Sequence, residues 1–111
     1  MIIVLENIFC YYESWSVYHG FAVTDIDPTR CTHVSYAFLG LNDDGTVHIL
    51  DSEADLNKGG YQNIVNLKQQ NANLKVLISM GGWNEGSTTY SAVFNNPSTR
   101  TTLVNNIYDF I

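Results

Sequence analysis

Apolar residues along this chain come in short bursts separated by regular polar punctuation. Ile8 to Tyr12 is a β-branched and aromatic run that reads as a strand. Glu13 to Thr24 reads as a loop centred on His19-Gly20. Thr24-Asp25-Ile26-Asp27-Pro28 predicts one capped helical turn, with Thr24 at the N-cap and Asp27 at N3 in the manner of a capping box. Val34 to Leu41, opening at about Thr32, is a second strand. Asn42-Asp43-Asp44-Gly45 is a turn signal, followed by a short extended piece, Thr46 to Leu50.

After Gly59-Gly60, the residues Tyr61, Ile64, Val65 and Leu67 recur near helical spacing among polar neighbours, and Asn71-Ala72-Asn73 closes that helix. Lys75 to Met80 is nearly all apolar, as expected of a buried parallel strand, and Gly81-Gly82 ends it. A loop is predicted from there to Asn96. Asn96 as N-cap and Pro97 at N1 start a second helix, whose apolar face is Leu103, Val104, Ile107, Tyr108 and Ile111. Strands alternating with helices predict an α/β protein with a parallel sheet. Three strands and two helices leave sheet edges open, and the sequence stops on an apolar helix face. The pattern is therefore expected to be the first portion of something larger. A compact three-stranded miniature is the alternative.

Composition narrows the function classes. The 111 residues amount to one small domain at most, and 45% apolar with 13% aromatic residues supply a core, against intrinsic disorder. Five Lys and Arg against eleven Asp and Glu give a net charge of −6, which argues against a nucleic-acid partner and against an anionic membrane surface. No apolar run approaches the roughly 20 residues that span a bilayer. The apolar stretch Ile2 to Leu5 lacks the basic flank and the length of a secretory signal. Either the protein is not secreted or this N-terminus is not its natural one. Cys10 and Cys31 are either two buried thiols or a disulfide, and a disulfide would imply an oxidising compartment.

Candidate chemistry is sparse. His19, His33 and His48 are far apart and lack ligand spacing, so neither a metal site nor a cofactor is expected, and His33 reads as a hydrogen-bonded structural residue. Asp25 and Asp27 read as helix caps. Asp43, Asp44, Asp51, Glu53 and Asp55 read as solvated loop charges. The aromatic residues are more informative. Tyr11, Tyr12 and Trp15 lie at or after the end of the first strand, Tyr36 and Phe38 at the end of the second, and Trp83 just after Gly81-Gly82. Parallel βα proteins form their sites at the C-terminal ends of strands. Aromatic faces there suit flat, neutral, polar-edged ligands such as sugar rings. Tyr12 and Phe9 fit the core equally well.

The segments Cys10-Tyr11-Tyr12-Glu13-Ser14-Trp15, Cys31-Thr32-His33-Val34-Ser35-Tyr36-Ala37-Phe38 and Ser79-Met80-Gly81-Gly82-Trp83-Asn84 occur in this order. This ordered set resembles the N-terminal part of glycoside hydrolase family 18, the chitinases and chitinase-like proteins of animals, especially arthropods. The resemblance covers residues 7–111 and leaves 1–6 unmatched. It implies the N-terminal portion of a (β/α)8 barrel, about strands one to three and the following helix. It implies a secreted parent that binds chitin or chitooligosaccharides, and a Cys10–Cys31 disulfide. Those cysteines fall at the end of one strand and the start of the next, which a bridge with Cα atoms within about 7 Å has to reconcile.

The family's catalytic signature, D-G-x-D-x-D-x-E, is matched nowhere in these 111 residues, so no catalytic residue is assigned in this chain. The resemblance implies supporting roles instead. Tyr11, Phe38 and Trp83 would line the sugar cleft, Asn84 would hydrogen-bond the glycan, and Gly81 and Gly82 would let backbone approach it. Ser79 would point into the barrel toward an aspartate network, with Tyr36 as a further supporting residue. The segment Leu50 to Asp55 lacks the Trp that many relatives place there, and the loop after Tyr18 is shorter than usual. The parent would be a chitinase. The alternatives are a catalytically inactive chitinase-like lectin or growth factor, and an intact small binding protein.

Overall fold

A computed structural model describes residues 6–111 of the chain. The stretch Ile2 to Leu5 lies outside the described residues, as does most of the 1–6 segment expected to be unmatched. The strands are β1 (Phe9–Glu13), β2 (His33–Leu41), β3 (Val47–Ile49) and β4 (Lys75–Met80), and the α-helices are α1 (Gly60–Asn66), α2 (Thr88–Asn95) and α3 (Pro97–Phe110). The chain forms two compact units, one of residues up to Ala37 with Asp51–Ser79, the other of Phe38–Leu50 with Met80–Ile111. The architecture is α/β with parallel strand pairing.

In the first unit β1 runs parallel to the start of β2, with Phe9 opposite His33 and Glu13 opposite Ala37. β4 also pairs with β2, and Lys75 N donates to Thr32 O at 3.0 Å. The core is Tyr12, Val23, Cys31, Val34, Tyr36, Ile64, Leu67 and Leu74. Ile64 and Leu67 make the buried stripe of the α1 region, but Val65, expected on that stripe, is 51% exposed. Val65 follows Ile64 by one residue, about 100° around the helix, which turns it off the stripe that Ile64 and Leu67 share at i, i+3. Phe9 is exposed as well, and stacks on His33 with ring centroids 5.2 Å apart. The β4 strand is not buried on both faces, because Lys75 and Leu77 on one face are exposed.

The predicted turn at Thr24–Pro28 is divided in two. A 3₁₀ turn covers Val23–Asp25, and the Asp25 carboxylate accepts from Ala22 N at 2.8 Å. A second covers Pro28–Arg30, where Asp27 is the N-cap and accepts from Thr29 N at 3.1 Å. Pro28 fixes this division. It has no N–H to continue a helix and is pre-set for a first helical position. The loop expected after Glu13 also contains a 3₁₀ helix, Ser14–His19, closed by Gly20 in the left-handed region at φ 84°.

Cys10 and Cys31 form a disulfide with Cα atoms 6.0 Å apart. The parallel register removes the apparent conflict between strand ends. Cys10 is opposite Val34, so the chain before β2 passes beside the start of β1. Cys31→Ser is expected to lower stability by about 3 kcal/mol, because the bridge closes a 21-residue separation and so restricts the unfolded chain. A urea midpoint measured on the oxidised protein and on the variant checks this.

In the second unit Leu39–Leu41 pair antiparallel with β3, and the core is Leu41, Val93 and Leu103, joined by Val47, Met80, Tyr90 and Ile107. The loop predicted between Gly82 and Asn96 contains α2. Its apolar stripe, Tyr90 and Val93, is short and set among Ser, Thr and Asn, so the helical period is hard to see. The α3 start is as expected, with Asn96 accepting from Ser98 N at 2.9 Å and Pro97 in the first turn. Of its predicted apolar face, Leu103 is buried and Ile107 packs on the core, while Val104, Tyr108 and Ile111 are exposed. No helix among the described residues is long and apolar enough to cross a membrane.

Candidate functional site

Tyr11, Ser35 and Ser79 lie together in the first unit. Ser79 Oγ donates to Tyr11 Oη at 3.0 Å, and Ser35 and Ser79 hydroxyls are 2.6 Å apart. The parallel register explains the grouping, since Tyr11 is directly opposite Ser35. With Ser79 donating to Tyr11, Ser35 donates to Ser79, and the Tyr11 proton is left for an acceptor outside the trio. Tyr11 is 62% exposed and Ser35 fully buried, so the relay runs from the sheet interior to the surface.

Tyr36, expected to support the same site, is instead a core residue at 1% exposure. Alternation along the strand directs it away from Ser35. Its hydroxyl donates to Asp55 at 2.7 Å. Asp55 corrects a second expectation, because it is buried rather than solvated. It also accepts from Tyr61 Oη at 3.3 Å and from Asp51 N at 3.2 Å. Burial pushes the Asp55 carboxyl above the usual carboxylate range, although these donors pull it down. The same burial, with the carboxylate beside them, pushes both tyrosine hydroxyls up and keeps them protonated donors. Nothing in the sequence marks Asp55 apart from its neighbours. Its place, three residues after Ser52 in a π-helical turn at Glu53–Asn57, has no clear residue pattern. Asp51, by contrast, is held below the usual range by the backbone N–H of Ala54, and its two oxygens accept from Tyr18 Oη at 2.9 and 3.0 Å.

Phe38, Gly81, Gly82, Trp83 and Asn84 belong to the second unit. Gly81 and Gly82 adopt φ 104° and 101°, which a side chain disfavours. A Cβ on Gly82 would stand 3.0 Å from the Phe38 ring, so ring and backbone are in close contact there. Gly86 N donates to Trp83 O at 3.3 Å and closes a turn over Trp83–Gly86. Trp83 is 98% exposed and Asn84 is exposed beside it. Two residues on, Glu85 points the other way. Its Oε2 accepts from Leu41 N at 3.0 Å and Tyr90 Oη at 3.2 Å, and Oε1 is 3.7 Å from His48 Nε2. Burial, with Glu85 adding to it, pushes the Tyr90 hydroxyl up to about 12. Among the described residues no group of three or more His, Cys, Asp or Glu is placed to hold a metal ion.

The family model described as Glycosyl hydrolases family 18 matches residues 7–111, so the chain belongs to that family. The Endochitinase of Manduca sexta is 33% identical over 110 residues, covering 95% of this chain and 20% of the relative. The Probable chitinase 2 of Drosophila melanogaster is 39% identical over 113 residues, covering 94% and 23%. The Group IV chitinase of Ostrinia furnacalis, solved alone and in complex with allosamidin, superposes with a TM-score of 0.90 at 40% identity, over 96% of this chain and 30% of that one. The chain thus spans about a fifth of the length of the curated relatives it matches. Its arthropod-chitinase resemblance and its family are as the motifs predict.

Proposed function

We propose that the chain supplies the first strands of a (β/α)8 barrel in a secreted enzyme that binds and hydrolyses chitin. The observation that carries this reading is Trp83. In a chain of this family, an almost fully exposed indole stands on a turn directly after the C-terminal end of a parallel strand. Barrel enzymes build their sites at that end. A core tryptophan would be shielded, whereas one that stacks on a ligand stays open until the ligand arrives. Similar proteins support a ligand of this kind, since the Ostrinia furnacalis Group IV chitinase was solved in complex with allosamidin and human YKL-39 is a pseudo-chitinase with retained chitooligosaccharide binding. The disulfide supports an extracellular location.

The residues divide the work. Trp83 offers a face for an N-acetylglucosamine ring, with Phe38 beside Gly82 and the Asn84 amide at its edge. The Tyr11 hydroxyl, oriented by Ser79 and Ser35, donates to an aspartate of the D-G-x-D-x-D-x-E segment. In that chemistry a glutamate protonates the glycosidic oxygen and the substrate's own N-acetyl carbonyl attacks the anomeric carbon, a departure from the two-carboxylate scheme. These 111 residues hold no such segment. The purified chain is therefore expected to release no fluorophore from a fluorogenic chitobioside, while the full-length protein does so. Turnover by the 111-residue chain that is lost on mutating one of its own residues would overturn this division. A full-length protein that binds chitotetraose but never cleaves it would place the chain in an inactive lectin instead.

A further inference from the structure

We propose that Glu85 is a positioning residue that holds the Trp83–Asn84 turn in its ligand-receiving geometry. The proposal rests on the reading of Trp83 as a sugar-stacking residue and deepens it. The turn has little else to fix it. Trp83 is almost fully exposed, its Cα follows two glycines at positive φ, and the bond from Gly86 N to Trp83 O that closes the turn is long at 3.3 Å. Two successive glycines leave the backbone before Trp83 more conformers than any other pair would. Ordering such a segment on binding would subtract from affinity unless it is ordered beforehand.

Glu85 provides that ordering from within the turn. Its side chain is only 17% exposed, and it points from the turn into the unit, where three partners on three different segments meet it. Leu41 N at the end of β2 is a buried donor that Glu85 Oε2 satisfies at 3.0 Å. Tyr90 Oη of α2 donates to the same oxygen at 3.2 Å, and His48 of β3 lies 3.7 Å from the other. A carboxylate that accepts from backbone and phenol together forms charge-assisted bonds of defined direction. The sheet leaves room for this arrangement because residue 40 is glycine. A Cβ there would come within 2.6 Å of the His48 ring and push it off. His48 Nδ1 is buried with no hydrogen-bond partner among the described residues. The ring's other nitrogen, Nε2, faces Glu85 Oε1 at 3.7 Å, so ring and carboxylate stand side by side.

The test is a double-mutant cycle in the full-length protein, read as chitotetraose affinity by calorimetry alongside the urea midpoint. Glu85→Ala is expected to weaken binding about tenfold in the Trp83 background and to change it less than twofold in the Trp83→Ala background, because the turn then has no indole to present. Glu85→Gln, which keeps an acceptor for Leu41 N, is expected to restore most of the affinity. Equal losses in both backgrounds, or unchanged affinity for Glu85→Ala, would overturn the positioning role. If Glu85→Ala does not fold, Tyr90→Phe replaces it in the same cycle, and an affinity change that persists without Trp83, or no change at all, again overturns it. Failure of Trp83→Ala itself to weaken binding would instead remove the stacking role, whatever Glu85 does.

Discussion

Asp55→Ala is expected to lower stability by about 3 kcal/mol, measured as a fall in the urea midpoint at neutral pH. The carboxylate is the common acceptor of Tyr36, Tyr61 and Asp51 N. Removing it leaves a fully buried phenol and a backbone N–H without partners, and each unpaired buried donor costs on the order of 1–3 kcal/mol. The site cannot readily repack. Tyr36 stands against Gly60, where a Cβ would collide with the Tyr36 hydroxyl and with Ala54 O. Asp55→Asn keeps one acceptor but turns an amide N–H₂ toward the other donors, so its midpoint should fall between those of the native protein and Asp55→Ala. A midpoint unchanged in Asp55→Ala would mean that the tyrosines find other partners and that Asp55 is dispensable.

The sign of the pH dependence follows from burial. The folded Asp55 carboxyl binds its proton more tightly than the ordinary value of 3.8, so between that value and the raised one the folded state holds more proton than the unfolded state. Stability from this group is fully present below the ordinary value and is lost as pH rises through the raised one. The advantage of native protein over Asp55→Asn should therefore be larger near pH 3.5 than at pH 7. An advantage that shrinks on acidification would show that the three donors outweigh burial.

How much of this was legible follows from what each pattern encodes. The runs at Ile8–Tyr12, Val34–Leu41 and Lys75–Met80 fall on β1, β2 and β4 because β-branched and aromatic residues mark a pleated, half-buried surface. Asn96-Pro97 fixes the start of α3 because cap chemistry is local to a few residues. Asp55 was illegible because its burial depends on two tyrosines 19 residues before it and 6 after it in sequence, which no local pattern contains. Phe9 and Val65 are exposed for a related reason. Hydrophobicity predicts that a residue is able to be buried, whereas neighbours decide whether it is. Glu85 had a weak signal, an acidic residue in an otherwise neutral Gly-rich turn, but its partners on β2, β3 and α2 are again distant in sequence.

Trp83→Ala in the full-length protein is expected to weaken chitotetraose binding by roughly 10- to 100-fold, the loss of about 1–3 kcal/mol typical of a truncated aromatic anchor. The urea midpoint should hardly move. At 98% exposure the indole contributes almost no buried area, so the roughly 3–5 kcal/mol that a buried tryptophan would forfeit is not available to lose. Trp83→Phe should recover part of the affinity, because a smaller ring still offers a face to sugar C–H groups, while Trp83→Leu, apolar but without a π face, should not. That ordering separates stacking from plain hydrophobic contact. A large fall in midpoint with unchanged affinity would return Trp83 to a structural role. Affinity that falls equally for Phe and Leu would show that the turn needs bulk at this position rather than an aromatic face.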